Sequence, residues 1–126
     1  MEIDAQALTT CEVAADGGAV SLGFLDSGGK PATIRLSLNE VGALATTLPK
    51  LIDKALQLRF GDASLRYAYP LSSWVVEPSS DPAQGMVTLH TADGFSVCFS
   101  IPRRQQSELG EALVAEPATQ ARFLIN

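Results

Sequence analysis

The side chains able to carry chemistry are few, and their spacing excludes most reactions. His90 is the sole histidine, and Cys11 and Cys98 stand far apart, so neither a multi-imidazole zinc site nor a Cys-x-x-Cys pair can form. Gly29-Lys30 is followed by Pro31 and preceded by Phe24 where a phosphate-binding loop needs its first glycine. Gly94-Phe-Ser-Val-Cys98 approaches a nucleophile elbow, but its last residue is cysteine and its serine falls inside a strand pattern rather than at a strand–helix turn. One pair remains, Cys98 as nucleophile with His90 as base, the arrangement of a thiol-dependent enzyme. The competing reading makes His90 a solvated residue and Cys98 a small apolar filler on a mixed polar face. No third residue that would orient the imidazole is visible, and no cofactor or metal is implied.

Whether these two side chains meet depends on the strands that carry them. Phe95-Ser-Val-Cys-Phe-Ser-Ile101 alternates strictly, with Phe95, Val97, Phe99 and Ile101 on one side. Met86–Thr91 precedes it, with Val87 and Leu89 on its apolar side. A two-residue turn would set Leu89 against a polar residue. A three-residue turn, Ala92-Asp93-Gly94 with Gly94 left-handed, sets Leu89 against Val97 and Val87 against Phe99. That register places Cys98 opposite Thr88, His90 opposite Ser96, and Cys98 diagonal to His90, roughly 7–8 Å away.

Similar reasoning orders the rest. Thr9–Ala15 and Ala19–Leu25 flank Asp16-Gly17, which predicts a type I′ turn with Val13 against Val20 and Cys11 against Leu22. Thr33–Leu38 alternates in turn, and Asn39 reads as the N-cap of a helix with Glu40 in its first turn. Val41, Leu44, Ala45, Leu48, Leu51, Ile52, Ala55 and Leu56 form a stripe of helical period, interrupted by Pro49, where a kink or restart is expected. Leu65–Tyr69 and Ser73–Glu77 read as strands, the second with Trp74 and Val76 on its buried side. Pro102 opens a helix with Leu109, Ala112 and Leu113 on one face, Pro117 ends it, and the tail from Ala118 to Asn126 is expected to fold back.

The two halves resemble each other, Val20-Ser-Leu22 aligning with Val87-Thr-Leu89 and Ile34–Leu38 with Val97–Ile101. The expected fold is α+β, an antiparallel sheet with two helices packed on one face. It is read as one domain over residues 1–126, with an internal β-β-β-α repeat over 9–60 and 72–117.

Composition narrows the function by exclusion. The chain has 126 residues, 46% hydrophobic and 18% charged, enough for one domain with a real core and unlike a disordered chain. Its net charge of −5 is already reached in residues 1–29, which hold five acids and no base. Residues 30–72 carry six bases against three acids, and residues 73–126 three bases against six acids. Tyr67, Tyr69 and Trp74 beside Arg59 and Arg66 suggest a weak nucleic-acid accessory, while the acidic total argues against nucleic acid as a partner. Met1-Glu2-Ile3-Asp4 lacks the start of a secretory signal, and no apolar run exceeds the four residues Ala112–Ala115, so a cytoplasmic protein with reduced thiols and no membrane association is expected.

The outer sheet face carries Arg35, Thr88, His90, Ser96 and Cys98 among small, weakly charged neighbours, a composition suited to being covered. The leading expectation is therefore a non-catalytic binding module, acting as a homodimer or with a protein partner through this face or an edge strand.

Overall fold

In a computed structural model that describes residues 1–115 and 123–125, the chain follows the order β1 (Ala5–Val13), β2 (Ala19–Asp26), β3 (Pro31–Ser37), α1 (Leu38–Phe60), β4 (Arg66–Ala68), β5 (Leu71–Pro78), β6 (Gln84–Thr91), β7 (Ser96–Pro102), α2 (Arg103–Val114) and β8 (Phe123–Ile125). The fold is α+β. The strands form two three-stranded antiparallel sheets, β1-β2-β3 and β5-β6-β7, and a parallel pair, β4-β8. The chain divides into two compact units, Met1–Ile52 and Asp53–Asn126.

In the first unit, Val13 faces Val20 and Cys11 faces Leu22, as the alternation requires, and Leu22 in turn faces Ile34. The turn between β1 and β2 departs from expectation. A type I′ turn needs positive φ at both central residues, and among the described residues only glycines have it. Gly17 (φ 73°) takes the left-handed position at the end of an ordinary turn, in which its N–H donates to the Ala14 carbonyl at 2.8 Å. Asp16 instead accepts from the Gly18 N–H at 2.9 Å. The same strand register results, because the loop still closes Ala14 onto Ala19.

The β2–β3 and β6–β7 hairpins share one turn. Asp26 N–H donates to Lys30 O and Gly29 N–H to Asp26 O, while Thr91 N–H donates to Phe95 O and Gly94 N–H to Thr91 O. Gly29 (φ 81°) and Gly94 (φ 94°) hold the left-handed positions. This is the three-residue loop with one left-handed residue, expected for Gly94 and now found twice.

Anchored on those turns, the two sheets correspond at a constant offset of 65 residues: Leu22 to Val87, Phe24 to Leu89, Ile34 to Phe99, Leu36 to Ile101, and Cys11 to Val76. Away from the irregular first halves of β1 and β5, the pairings of one sheet have counterparts in the other, a geometry compatible with a tandem β-β-β-α duplication. The alignment read from sequence (Val20 with Val87, Ile34 with Val97) is displaced by two residues in opposite directions on the two strands. Period-2 strands tolerate that slip because it preserves which side chains share a face.

Helix α1 begins earlier than Asn39. Ser37 is the cap: its Oγ accepts from the Glu40 N–H at 3.3 Å, and Glu40 Oε1 accepts from the Ser37 N–H at 2.9 Å. This reciprocal capping box holds the Glu40 carboxyl below its ordinary pKa, chiefly through the backbone hydrogen bond from Ser37 and then through the serine side chain. The helix runs unbroken through Pro49 to Phe60, with no restart.

In the second unit, two side chains one turn apart on α1 hold the next strand. Asp53 Oδ1 accepts from the Tyr67 N–H at 2.8 Å, and Gln57 Nε2 donates to the Leu65 carbonyl at 3.0 Å, beside the buried Leu65. Asp53→Ala would leave a partly buried N–H unpaired and is expected to cost about 1–3 kcal/mol in urea unfolding. Asp53→Asn keeps an acceptor and should lose less than half of that; equal losses would show that the bond carries nothing.

β4 pairs in parallel with β8, so Phe123–Ile125 of the tail lies along Arg66–Ala68. Pro117 and the remainder of the tail lie outside the described residues. At the start of α2, Arg103 N–H donates to the Ala83 carbonyl and its Nε to the Pro82 carbonyl at 2.8 Å. Arg103 is thus tied to the β5–β6 connection.

Candidate functional site

The β6–β7 register brings four of the five expected surface residues together. Thr88 faces Cys98 and His90 faces Ser96, with His90 diagonal to Cys98, and Val75 and Ser73 on β5 extend the same face. Arg35 lies in the other sheet, opposite Ser21. Cys98 is exposed and His90 half-buried, and among the described residues no hydrogen bond reaches either side chain from a group that would orient it. A nucleophile–base pair needs direct contact or one bridging water and a fixed imidazole. The sheet supplies the proximity and omits the orienting group. Among the described residues, no three His, Cys, Asp or Glu side chains gather where they would hold a metal ion.

The opposite face holds what the alternation pattern leaves out. Trp74, Leu89 and Val97 stand in one row across the sheet, and Val76, Val87 and Phe99 in the next. These are the residues expected inside, yet Trp74 is 63% exposed, Val76 73% and Phe99 49%. The expectation that Trp74 and Val76 are buried is therefore corrected: they lie on the apolar face, which the described residues leave exposed. Helix α2 covers one end only, where Leu109 and Gln105 close a hollow with Val87 and Ile101. A Cβ on Gly85 would collide there with the Gln106 side-chain amide. Tyr69 stacks on Phe95 with centroids 4.9 Å apart and meets Tyr67 edge-on, so these rings pack against one another. Beside them Leu71, Leu89, Phe95 and Phe99 line a second hollow of about 240 Å³, below the usual range for a small-molecule site and suited to a side chain or two.

The first sheet repeats the condition. Leu8, Val13 and Ile34 on its apolar side are exposed, and α1 buries no residue along its whole length. Among the apolar residues described, only Ala19 in the first unit and Leu65 in the second are buried. Chains of this size normally remove about two thirds of their surface from water on folding.

Alternation in sequence identified which side chains share this face; nothing in it said whether the chain itself covers the face. The chain matches no protein-family model, no curated protein and no solved structure.

Proposed function

We propose that the protein is a non-catalytic binding module that acts as a homodimer. One observation carries this reading: the described residues leave the apolar face of the β5-β6-β7 sheet, including Trp74, Val76 and Phe99, exposed. Large apolar side chains exposed side by side on one face, rather than scattered singly, mark a binding surface. Among the described residues no helix is long and apolar enough to cross a membrane. The exposed thiols of Cys11 and Cys98 suit a reducing compartment, and we place the protein in the cytoplasm.

Sedimentation equilibrium at micromolar protomer concentration tests the reading. A mass of two chains is expected, and a single-chain mass at all concentrations overturns it.

A further inference from the structure

We propose that α1 carries a hinge at Thr46–Pro49, about which the units Met1–Ile52 and Asp53–Asn126 turn relative to each other. The hinge is a property of the single chain and is independent of self-association.

The chain passes from one unit to the other once, between Ile52 and Asp53, and that point lies inside α1 (Leu38–Phe60). Each part of the helix is fastened within its own unit. At the start, the capping box of Ser37 and Glu40 joins α1 to β3, where Ser37 pairs with Ala19 of β2. Toward the end, Asp53 accepts from the Tyr67 N–H and Gln57 donates to the Leu65 carbonyl, which ties the last turns to β4 and the residue before it. The Gln57 carbonyl also accepts from the Asp62 N–H at 3.1 Å. A helix with a complete hydrogen-bond ladder would carry the direction of one anchor to the other as a stiff rod.

Between the anchors the ladder is weakened twice within little more than one turn. Pro49 has no N–H for the Ala45 carbonyl, and its ring crowds that group. Just before it, the Ala43 carbonyl accepts from the Thr46 hydroxyl at 3.0 Å and from the Thr47 hydroxyl at 2.6 Å. Back-bonding of this kind competes with the helical donor and bends helices. Threonine is also a poor helix former, because its branched side chain crowds the preceding turn. Lys50–Phe60, by contrast, contains no proline, glycine or threonine. Bending therefore concentrates at Thr46–Pro49, before the anchors at Asp53 and Gln57 take hold.

The wild-type chain supplies its own probe sites, since Cys11 and Cys98 are both exposed and lie one in each unit. Spin labels on both thiols, with the labelled chain diluted in excess unlabelled chain, give the distance distribution within one molecule by pulsed electron paramagnetic resonance. The wild-type distribution is expected to be wider than the labels' own rotamers produce. Pro49→Ala restores the N–H and supplies a good helix former, and should narrow the distribution by about half. Pro49→Gly restores the N–H without the helix preference and should narrow it less. Hydrogen exchange reads the same segment without labels. In the wild type, the amides of Lys50–Asp53, whose helical partners are the carbonyls of Thr46–Pro49, should exchange about tenfold faster than those of Ala55–Leu58 after correction for intrinsic rates. Pro49→Ala should remove that difference. A wild-type distribution no wider than the labels allow, an equal width in Pro49→Ala, or even exchange along α1 overturns the hinge.

Discussion

Trp74→Lys is expected to weaken self-association by about 30-fold to 1,000-fold, roughly 2–4 kcal/mol, as read by sedimentation equilibrium. The indole is 63% exposed on the single chain, so a protomer working alone would hardly notice the change; substitutions at exposed positions usually fall within ±0.5 kcal/mol. The two situations therefore predict different magnitudes from one variant. In a dimer that covers this face, a lysine at position 74 places a cation among valine, leucine and phenylalanine side chains removed from water. Trp74→Phe keeps an aromatic surface and should retain most of the affinity. Equal behaviour of the lysine and phenylalanine variants would mean that the face stays in water.

Pro49→Ala is expected to act in the opposite direction and to raise stability by about 1–3 kcal/mol. Proline inside a helix lacks the N–H that would reach the Ala45 carbonyl, and its ring crowds that group. Nevertheless α1 continues from Leu38 to Phe60 across it. Pro49 is exposed, so no packing contact offsets the cost. Thermal unfolding should register the gain as several degrees, at roughly 3–6 °C per kcal/mol for a chain of this size. A lower midpoint would mean that the proline serves α1 in a way its exposure does not reveal.

These expectations also show what was legible in the residues and what was not. Both hairpin registers followed from alternation, because a one-residue slip would turn Leu89 or Leu22 to the wrong face. The grouping of Thr88, His90, Ser96 and Cys98 followed from the same register. The turn at Asp16-Gly17 did not, since that dipeptide fits a type I′ turn and also a longer loop in which Asp16 keeps negative φ and caps Gly18; the strand register is the same for both. The cap at Ser37 was signalled by Ser-x-x-Glu, but Asn39 caps about as well by residue type, and only the reciprocal hydrogen bonds decide between them. The likeness of the two halves was visible as similar strands, while the offset of 65 residues at which their pairings correspond needed the turns at Gly29 and Gly94 as anchors. The openness of the Trp74 face had no local signal. Alternation reports the chemical character of a face, whereas its covering depends on elements remote in sequence or on another molecule.

The most direct measurement is the mass of the wild-type chain by sedimentation equilibrium across a dilution series from micromolar to nanomolar. A two-chain mass that falls toward one chain only on dilution, with loss of folded signal in step, is the result expected if the second copy supplies cover that the chain lacks. A stably folded single chain at every concentration would contradict it.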